Sequence, residues 1–357
     1  MKKIIPAIII CIILLAGCGN PVITGGSSEE GQSTEQGGSD FKDQNSEVVK
    51  KDPKANIDLD FKPNEAGKIM VLMYHNIGDT EQEWVRTPAN FLKDMDTLYE
   101  KGYRPISLKD YVSGSITTEQ GFTPVVITFD DGNLNNFEYL ENGQVKEDSA
   151  VGLLMGFHEK HKDFPLEATF FLYGEHPFRQ NSLITEKLSF IVENGMDIGN
   201  HTKDHNSFKN EGMEEIQDQI GSEAQFLKNT LNKDDYDINT LALPFGERPK
   251  DEELTKYLAS GSSGGVPYEN IAVLNVGWNP AYSPYDKRFD HTSIPRIRAS
   301  EMKVDHVGLY NYISYFDKHS EERFISDGVA EIITIPENKK DTVTVPGDKE
   351  IYTYEKK

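Results

Sequence analysis

Six short, dense apolar runs mark the chain between residues 69 and 276. They are Ile69-Met70-Val71-Leu72-Met73-Tyr74, Val125-Val126-Ile127-Thr128-Phe129, Ala168-Thr169-Phe170-Phe171-Leu172, Asp197-Ile198-Gly199, Leu241-Ala242-Leu243 and Ala272-Val273-Leu274-Asn275-Val276. The longer runs lack the apolar–polar alternation of a half-exposed strand, so they predict strands covered on both faces, as in a parallel sheet. Helical spacing fills several of the intervals. Phe91, Leu92, Met95, Leu98 and Tyr99 share one face, and so do Ile216, Ile220, Phe226, Leu227 and Leu231. Leu183, Leu188, Ile191 and Val192 form another such face that stops at Asn194-Gly195. Strands alternating with helices place the helices outside a parallel sheet, and so many units suggest a barrel. No internal repeat is visible. Beyond Ser326 the pattern changes to two short β-type segments, 332–336 and 343–346, which read as a small hairpin or edge extension.

The N-terminal fifth of the chain differs from this body. Lys2 and Lys3 precede a nearly pure apolar run over residues 4–15, too short for a stable membrane span and typical of an export leader. Leu15-Ala16-Gly17-Cys18 then resembles the lipobox of bacterial lipoproteins, in which the cysteine thiol carries lipid and becomes the new N-terminus. The expected organisation is a leader over 1–17, a tether over 18–66 with Cys18 lipidated, a body over 67–325 and a β-rich tail over 326–357. The tether is rich in Gly, Ser, Gln and Glu, a composition that cannot bury enough apolar surface to order itself. The only other cysteine, Cys11, would leave with the leader, so no disulfide is expected. These features imply an outward-facing, lipid-anchored, monomeric protein on the outer face of the bacterial membrane.

Composition narrows the partners. With 37 Lys and Arg against 59 Asp and Glu, the formal charge is −22, and loss of Lys2 and Lys3 would take it to −24. Such a surface repels phosphate backbones, so nucleic acid is excluded as a partner and a neutral or cationic substrate is favoured.

The candidate chemistry sits where apolar runs end, the place where α/β folds expose their active sites. Phe129 is followed by Asp130-Asp131-Gly132, and Gly199-Asn200 by His201-Thr202-Lys203-Asp204-His205. Two histidines at i and i+4 lie one helical turn apart and can chelate one metal, with a carboxylate from another strand completing the set. HxxxH alone is a weak signal, and Asp-Asp alone is weaker, being common in turns and caps. Their joint position after two apolar strands is what gives them weight. A glycosidase pair is a poorer use of adjacent aspartates, because those enzymes need carboxyls from different strands flanking the sugar.

Thr128-Phe129-Asp130-Asp131-Gly132, His201-Thr202-Lys203-Asp204-His205 and Leu243-Pro244-Phe245-Gly246 together resemble the first three motifs of the polysaccharide deacetylases, carbohydrate esterase family 4. The resemblance spans about residues 68–300. It implies an α/β fold, an incomplete, distorted (β/α) barrel of about seven parallel strands. It further implies Asp131, His201 and His205 as ligands of a divalent metal, commonly Zn²⁺, and Asp130 as general base. The Phe245 N–H would donate to the oxyanion, and the turn of Pro244, Phe245 and Gly246 would shape the groove. The implied reaction is hydrolysis of acetyl groups from a polysaccharide.

Two features depart from that family pattern. The third motif ordinarily carries an arginine that steers the base, where this chain has Ala242. No late apolar strand ends in the general-acid histidine. Val71-Leu72-Met73-Tyr74-His75 resembles that missing last motif moved to the N-terminal strand, an arrangement similar to the poly-N-acetylglucosamine deacetylases. His75 is therefore the expected acid, against a strand-end histidine bonded to a loop. Arg296 is the candidate to replace the charge lost at Ala242, against an ordinary surface salt bridge. For Phe137 and Tyr139, with Asn133, Asn135 and Asn136, a sugar-lining role and loop packing stand even, and for Trp278 core packing is the expectation. The leading function is N-deacetylation of an N-acetylglucosamine polymer at the cell surface. The alternatives are peptidoglycan deacetylation, O-deacetylation of another polysaccharide, and a non-catalytic wall-binding lipoprotein.

Overall fold

A computed structural model describes residues 52–355. The leader, Cys18 and most of the expected tether lie outside the described residues. No helix among the described residues is long and apolar enough to cross a membrane.

The apolar runs form the strands expected of them. They are β1 (Met70–Tyr74), β3 (Thr123–Phe129), β4 (Thr169–Leu172), β5 (Asp197–Asn200), β6 (Thr240–Ala242) and β7 (Ala272–Leu274). Two short strands were not legible as apolar runs, β2 (Tyr103–Pro105) and β8 (Ile297–Arg298). Seven parallel strands in the order β7-β6-β5-β4-β3-β1-β8 make an open, curled half-barrel, in agreement with the expected incomplete barrel. The short β2 pairs with the first residues of β3.

The order of strands explains how the chain can begin with what resembles a last motif. β1 lies between β3 and β8, with Tyr74 opposite Phe129 and Leu72 opposite Ile297. The first and last strands of the sheet are thus hydrogen-bonded neighbours. Parallel register also brings the C-terminal ends of β1, β3, β4, β5 and β6 to one edge of the half-barrel.

Alternation on β1 and β3 divides the core in two. Met70, Leu72, Tyr74, Val125, Ile127 and Phe129 face the cluster that contains residues of helices α1 (Pro88–Glu100), α3 (Ala150–Lys160) and α4 (Ile184–Glu193). Ile69, Val71 and Val126 face the second cluster, which α2 (Leu108–Ser113) and the C-terminal segment complete. The first turn of α1 is fixed by Thr87, whose hydroxyl accepts from the Asn90 N–H, with Pro88 at the first helical position. Helix α5 (Met213–Leu231) covers β5 and ends where Asn232 turns left-handed.

Three boundaries differ from the sequence reading. The ordered body begins before residue 67, because Asn64 and Glu65 are buried and Asn64 pairs with Ile325. The C-terminal segment is part of the body rather than an appendage. Its strands β9 (Ile332–Pro336) and β10 (Glu350–Tyr354) pair in parallel, not as a hairpin; the expected second segment, 343–346, is not a strand, and Ile333, Ile335 and Val343 pack against Val71, Val126 and Phe171. Apolar periodicity gave no sign of this, because a five-residue strand reads the same whether its neighbour runs parallel or antiparallel. The segment between Gly132 and Glu167 is also no simple loop. It holds α3, and Asn136, Phe137 and Tyr139 are buried, so these residues pack the loop and do not line a groove.

Candidate active site

Asp130 follows β3 directly and its N–H donates to the Tyr74 carbonyl, so the sheet ladder positions it. Its side chain is buried, and both carboxylate oxygens are held by Arg296 at 2.7 Å in a bidentate pair. Arg296 is itself fully buried and spends its remaining donors on the Asn275 carbonyl at 3.0 Å and the Thr128 hydroxyl at 3.2 Å. The surface-salt-bridge alternative for Arg296 is thereby corrected: the planar fork matches two carboxylate oxygens at once, which is the strong form of the interaction. Burial would push the Asp130 carboxyl up, but the Arg296 charge overcomes it and holds the group well below the usual carboxylate range. Ala242, the position where the third motif ordinarily carries arginine, has its side chain in the core, and the guanidinium arrives instead from the residue before β8.

Asp131 turns away from its neighbour because its backbone is left-handed, φ 75°. Its Oδ1 lies 3.6 Å from His201 Nε2 and 3.4 Å from His205 Nε2. One ligand atom from each of the three residues falls within 4.8 Å of the others. Ligand bonds of 2.0–2.2 Å at tetrahedral angles separate neighbouring ligand atoms by about 3.4 Å, so the set fits a single divalent ion. Two imidazoles and one carboxylate leave coordination positions open, the hallmark of a reactive rather than a structural centre.

The histidines are not one turn apart on a helix. His201 directly follows β5, and the chain returns His205 through a loop in which Thr202 and His205 have φ of 67° and 55°. Non-glycine residues in that region cost on the order of 1–3 kcal/mol each, a cost typical of functional sites. Periodicity could not predict this, because HxxxH has the same spacing in a helix and in a loop that doubles back. The tautomer of His201 is fixed: its Nδ1 lies 2.8 Å from the Ala242 carbonyl and must donate to it, which leaves the Nε2 lone pair facing Asp131. Burial lowers its pKa to about 4, so the ring is neutral and able to ligate at neutral pH.

His75 extends from β1 with Nε2 3.9 Å from Asp130 Oδ2, on the same edge of the half-barrel as the other groups. Burial lowers its pKa, and the nearby aspartates pull in the opposite direction. Phe245 also has a left-handed backbone, φ 58°, and its largely exposed ring touches His205 with centroids 4.9 Å apart. Gly246 follows with φ 65° and lies so close to Val276 that a Cβ would come within 2.7 Å of the Val276 backbone nitrogen, so the turn requires glycine. Pro244 is buried beneath this turn.

The remaining candidate, Trp278, is not in the core: its side chain is 58% exposed. Two residues escaped the sequence reading altogether. Tyr173, after β4, lies 4.9 Å from the His205 ring, and Trp84 lies 4.7 Å from the His75 ring. Trp84 sits on a loop with no periodic pattern, so sequence carried no signal for it.

Comparison with known proteins places this geometry in context. Residues 118–260 match the sequence profile described as Polysaccharide deacetylase. YxkH of Bacillus subtilis, a protein named for polysaccharide deacetylation, is 24% identical over 213 residues, covering 58% of this chain and 67% of its own. Among solved structures, the Streptococcus pyogenes deacetylase PplD in complex with acetate superposes with a TM-score of 0.51 at 16% identity, covering 69% of this chain and 97% of that one. A polysaccharide deacetylase from Bacillus cereus gives 0.50 at 19% identity, covering 69% of this chain and 68% of its own.

Proposed function

We propose that this polysaccharide deacetylase, a hydrolase by its family, removes N-acetyl groups from an N-acetylglucosamine-containing polysaccharide at the cell surface and releases acetate. The observation that carries the reading is the Arg296–Asp130 pair set beside the convergent Asp131, His201 and His205. A wall-binding protein without turnover has no use for a buried, bidentate arginine on a carboxylate next to three ligand groups. Replacement of the lost motif arginine by Arg296 removes the main support for that alternative.

The roles follow from the geometry. Asp131, His201 and His205 would hold the divalent cation, which we take to be Zn²⁺. When bound, it supplies Lewis acidity toward the acetyl carbonyl and the attacking water. Asp130 accepts the proton of that water, and Arg296 keeps the carboxylate ionised and aimed. The Phe245 N–H donates to the oxygen of the tetrahedral intermediate, where charge develops. His75, on the same edge beside Asp130, gives a proton to the departing amine. The products are acetate and a glucosamine unit. An anchor at Cys18, with the Gly- and Ser-rich stretch as spacer, would present a monomeric domain to the wall layer.

The test is acetate release from chitooligosaccharides, poly-N-acetylglucosamine, peptidoglycan and acetylxylan, with and without chelator. Release from the first two, lost on chelation and restored by Zn²⁺, is expected. Release from peptidoglycan alone or acetylxylan alone would reassign the substrate, and no release from any of them would leave the non-catalytic reading.

A further inference from the structure

The loop between His201 and His205 is fastened to one helix. Thr202 and His205 both have positive φ, a conformation that non-glycine residues keep only where their surroundings hold them in it. The loop's backbone donors show what does the holding. The His201 N–H donates to the Leu172 carbonyl of the neighbouring strand at 2.8 Å, and the Thr202 N–H to Asn200 Oδ1 at 2.8 Å. The next two donors both go to one residue of α5. The Lys203 N–H donates to the Gln219 carbonyl at 3.0 Å, and the Asp204 N–H to Gln219 Oε1 at 2.9 Å.

Gln219 is buried, on a helix face shared with Ile216, Ile220, Leu227 and Leu231. A buried amide is costly unless its polar atoms are bonded, and here they are. Nε2 donates to Asp204 Oδ2 at 2.7 Å and to Glu215 Oε1 at 3.0 Å, while Oε1 takes the Asp204 N–H. The amide can sit only this way round, because turning it over would set Oε1 against two carboxylates and Nε2 against an N–H. Asn200 adds a second tie to α5, its Nδ2 donating to the Ile220 carbonyl at 2.8 Å. The ion pair of Lys203 with Asp218, 3.3 Å apart between half-exposed side chains, is the weak surface kind and does not account for the fastening.

We propose that Gln219 is a positioning residue for the divalent-ion site: by gripping Asp204 through both its N–H and its carboxylate, it fixes the loop that sets the separation of His201 and His205, and so sets how tightly the ion is held. The inference rests on the metal-dependent reading above and deepens it by naming the buried side chain on which the ligand geometry depends. Its influence runs through Asp204, the residue immediately before His205. Ligands held in place before the ion arrives lose less entropy on binding it than ligands the ion must order. Residues that orient ligands in this way weigh on metal affinity nearly as the ligands do.

The test is the Zn²⁺ affinity of the full chain stripped of metal, read by competition with a chromophoric chelator, so that it does not depend on turnover. Gln219→Ala should weaken Zn²⁺ binding on the order of 10- to 100-fold. Gln219→Glu keeps the acceptor for the Asp204 N–H but sets a carboxylate against that of Asp204, so it should weaken binding too. Adding Asp204→Asn to it exchanges donor for acceptor across the same pair and should recover most of the loss, since Glu215 is exposed and can turn away. A residue that only supports the fold would lower the unfolding midpoint without moving the Zn²⁺ affinity of the folded chain, and would show no such recovery. Should Gln219→Ala fail to fold, Asp204→Ala, at an exposed position, removes the same grip and should weaken Zn²⁺ binding in the same direction. Wild-type Zn²⁺ affinity in whichever of these two variants folds, or no recovery in the exchanged pair, would overturn the proposal while sparing the deacetylase reading. A wild-type chain that binds no Zn²⁺ would instead defeat the metal-dependent reading itself.

Discussion

Removing a guanidinium from water costs several kcal/mol unless every donor finds an acceptor, and Arg296 meets that demand with Asp130, Thr128 and Asn275. Breaking such a pair costs more than the pair contributes, because the partner charge stays buried. Arg296→Met should therefore lower unfolding free energy by about 3–5 kcal/mol, measured by urea denaturation, and a loss below about 1 kcal/mol would contradict a buried pair. Arg296→Lys keeps the charge but loses the fork, so activity should fall more than stability does. At this scale the sequence was legible only in part. The motifs exposed Asp130, Asp131, His201 and His205, and Ala242 announced that a cation was missing. They could not say where the replacement came from, because Arg296 stands 166 residues from Asp130 and belongs to no pattern. The left-handed backbones of Asp131, His205 and Phe245 were equally silent, since Asp and His adopt positive φ more often than most residues but still too rarely to predict it, and Phe more rarely still.

Elements set the second scale. The longest strands, β1 with five residues and β3 with seven, read well from sequence because burial on both faces leaves a dense apolar run, whereas β8, two residues long, is invisible until its partner β1 is known. The loop beside the candidate ligand His205 takes buried support from a helix. Glu223 on α5 is buried and accepts from the Gly174 N–H at 3.2 Å, just beyond Tyr173, whose ring touches His205. Burial raises its pKa from 4.5 to about 9. The folded chain then holds a proton that the unfolded chain has lost, so this contribution to stability is present below the ordinary carboxylate range and declines as pH rises through about 9. Wild-type urea midpoints should fall between about pH 6 and pH 9, and Glu223→Gln should flatten that fall. An identical slope in the variant would show that Glu223 ionises freely in the folded protein.

For the whole molecule, the half-barrel gathers the ends of β1, β3, β5 and β6, with the approach to β8, so that groups distant in sequence share one small volume. The strand order becomes legible once Leu72 is seen opposite Ile297: the strand that leads to His75, the proposed acid, can open the chain as well as close it, because the sheet places both ends side by side. The C-terminal segment was misjudged for the opposite reason, its apolar residues being too few to show that they complete the inner core. The proposed substrate, a neutral acetylated polymer that becomes cationic on turnover, is compatible with the net charge of −22. The proposed mechanism divides the labour within one cluster, Asp131, His201 and His205 holding the ion and Asp130 moving the proton. Acetate release and bound metal per chain, measured side by side for Asp130→Asn, test it most directly. Turnover lost with metal content unchanged is the expected result; turnover retained near the wild-type rate would contradict it.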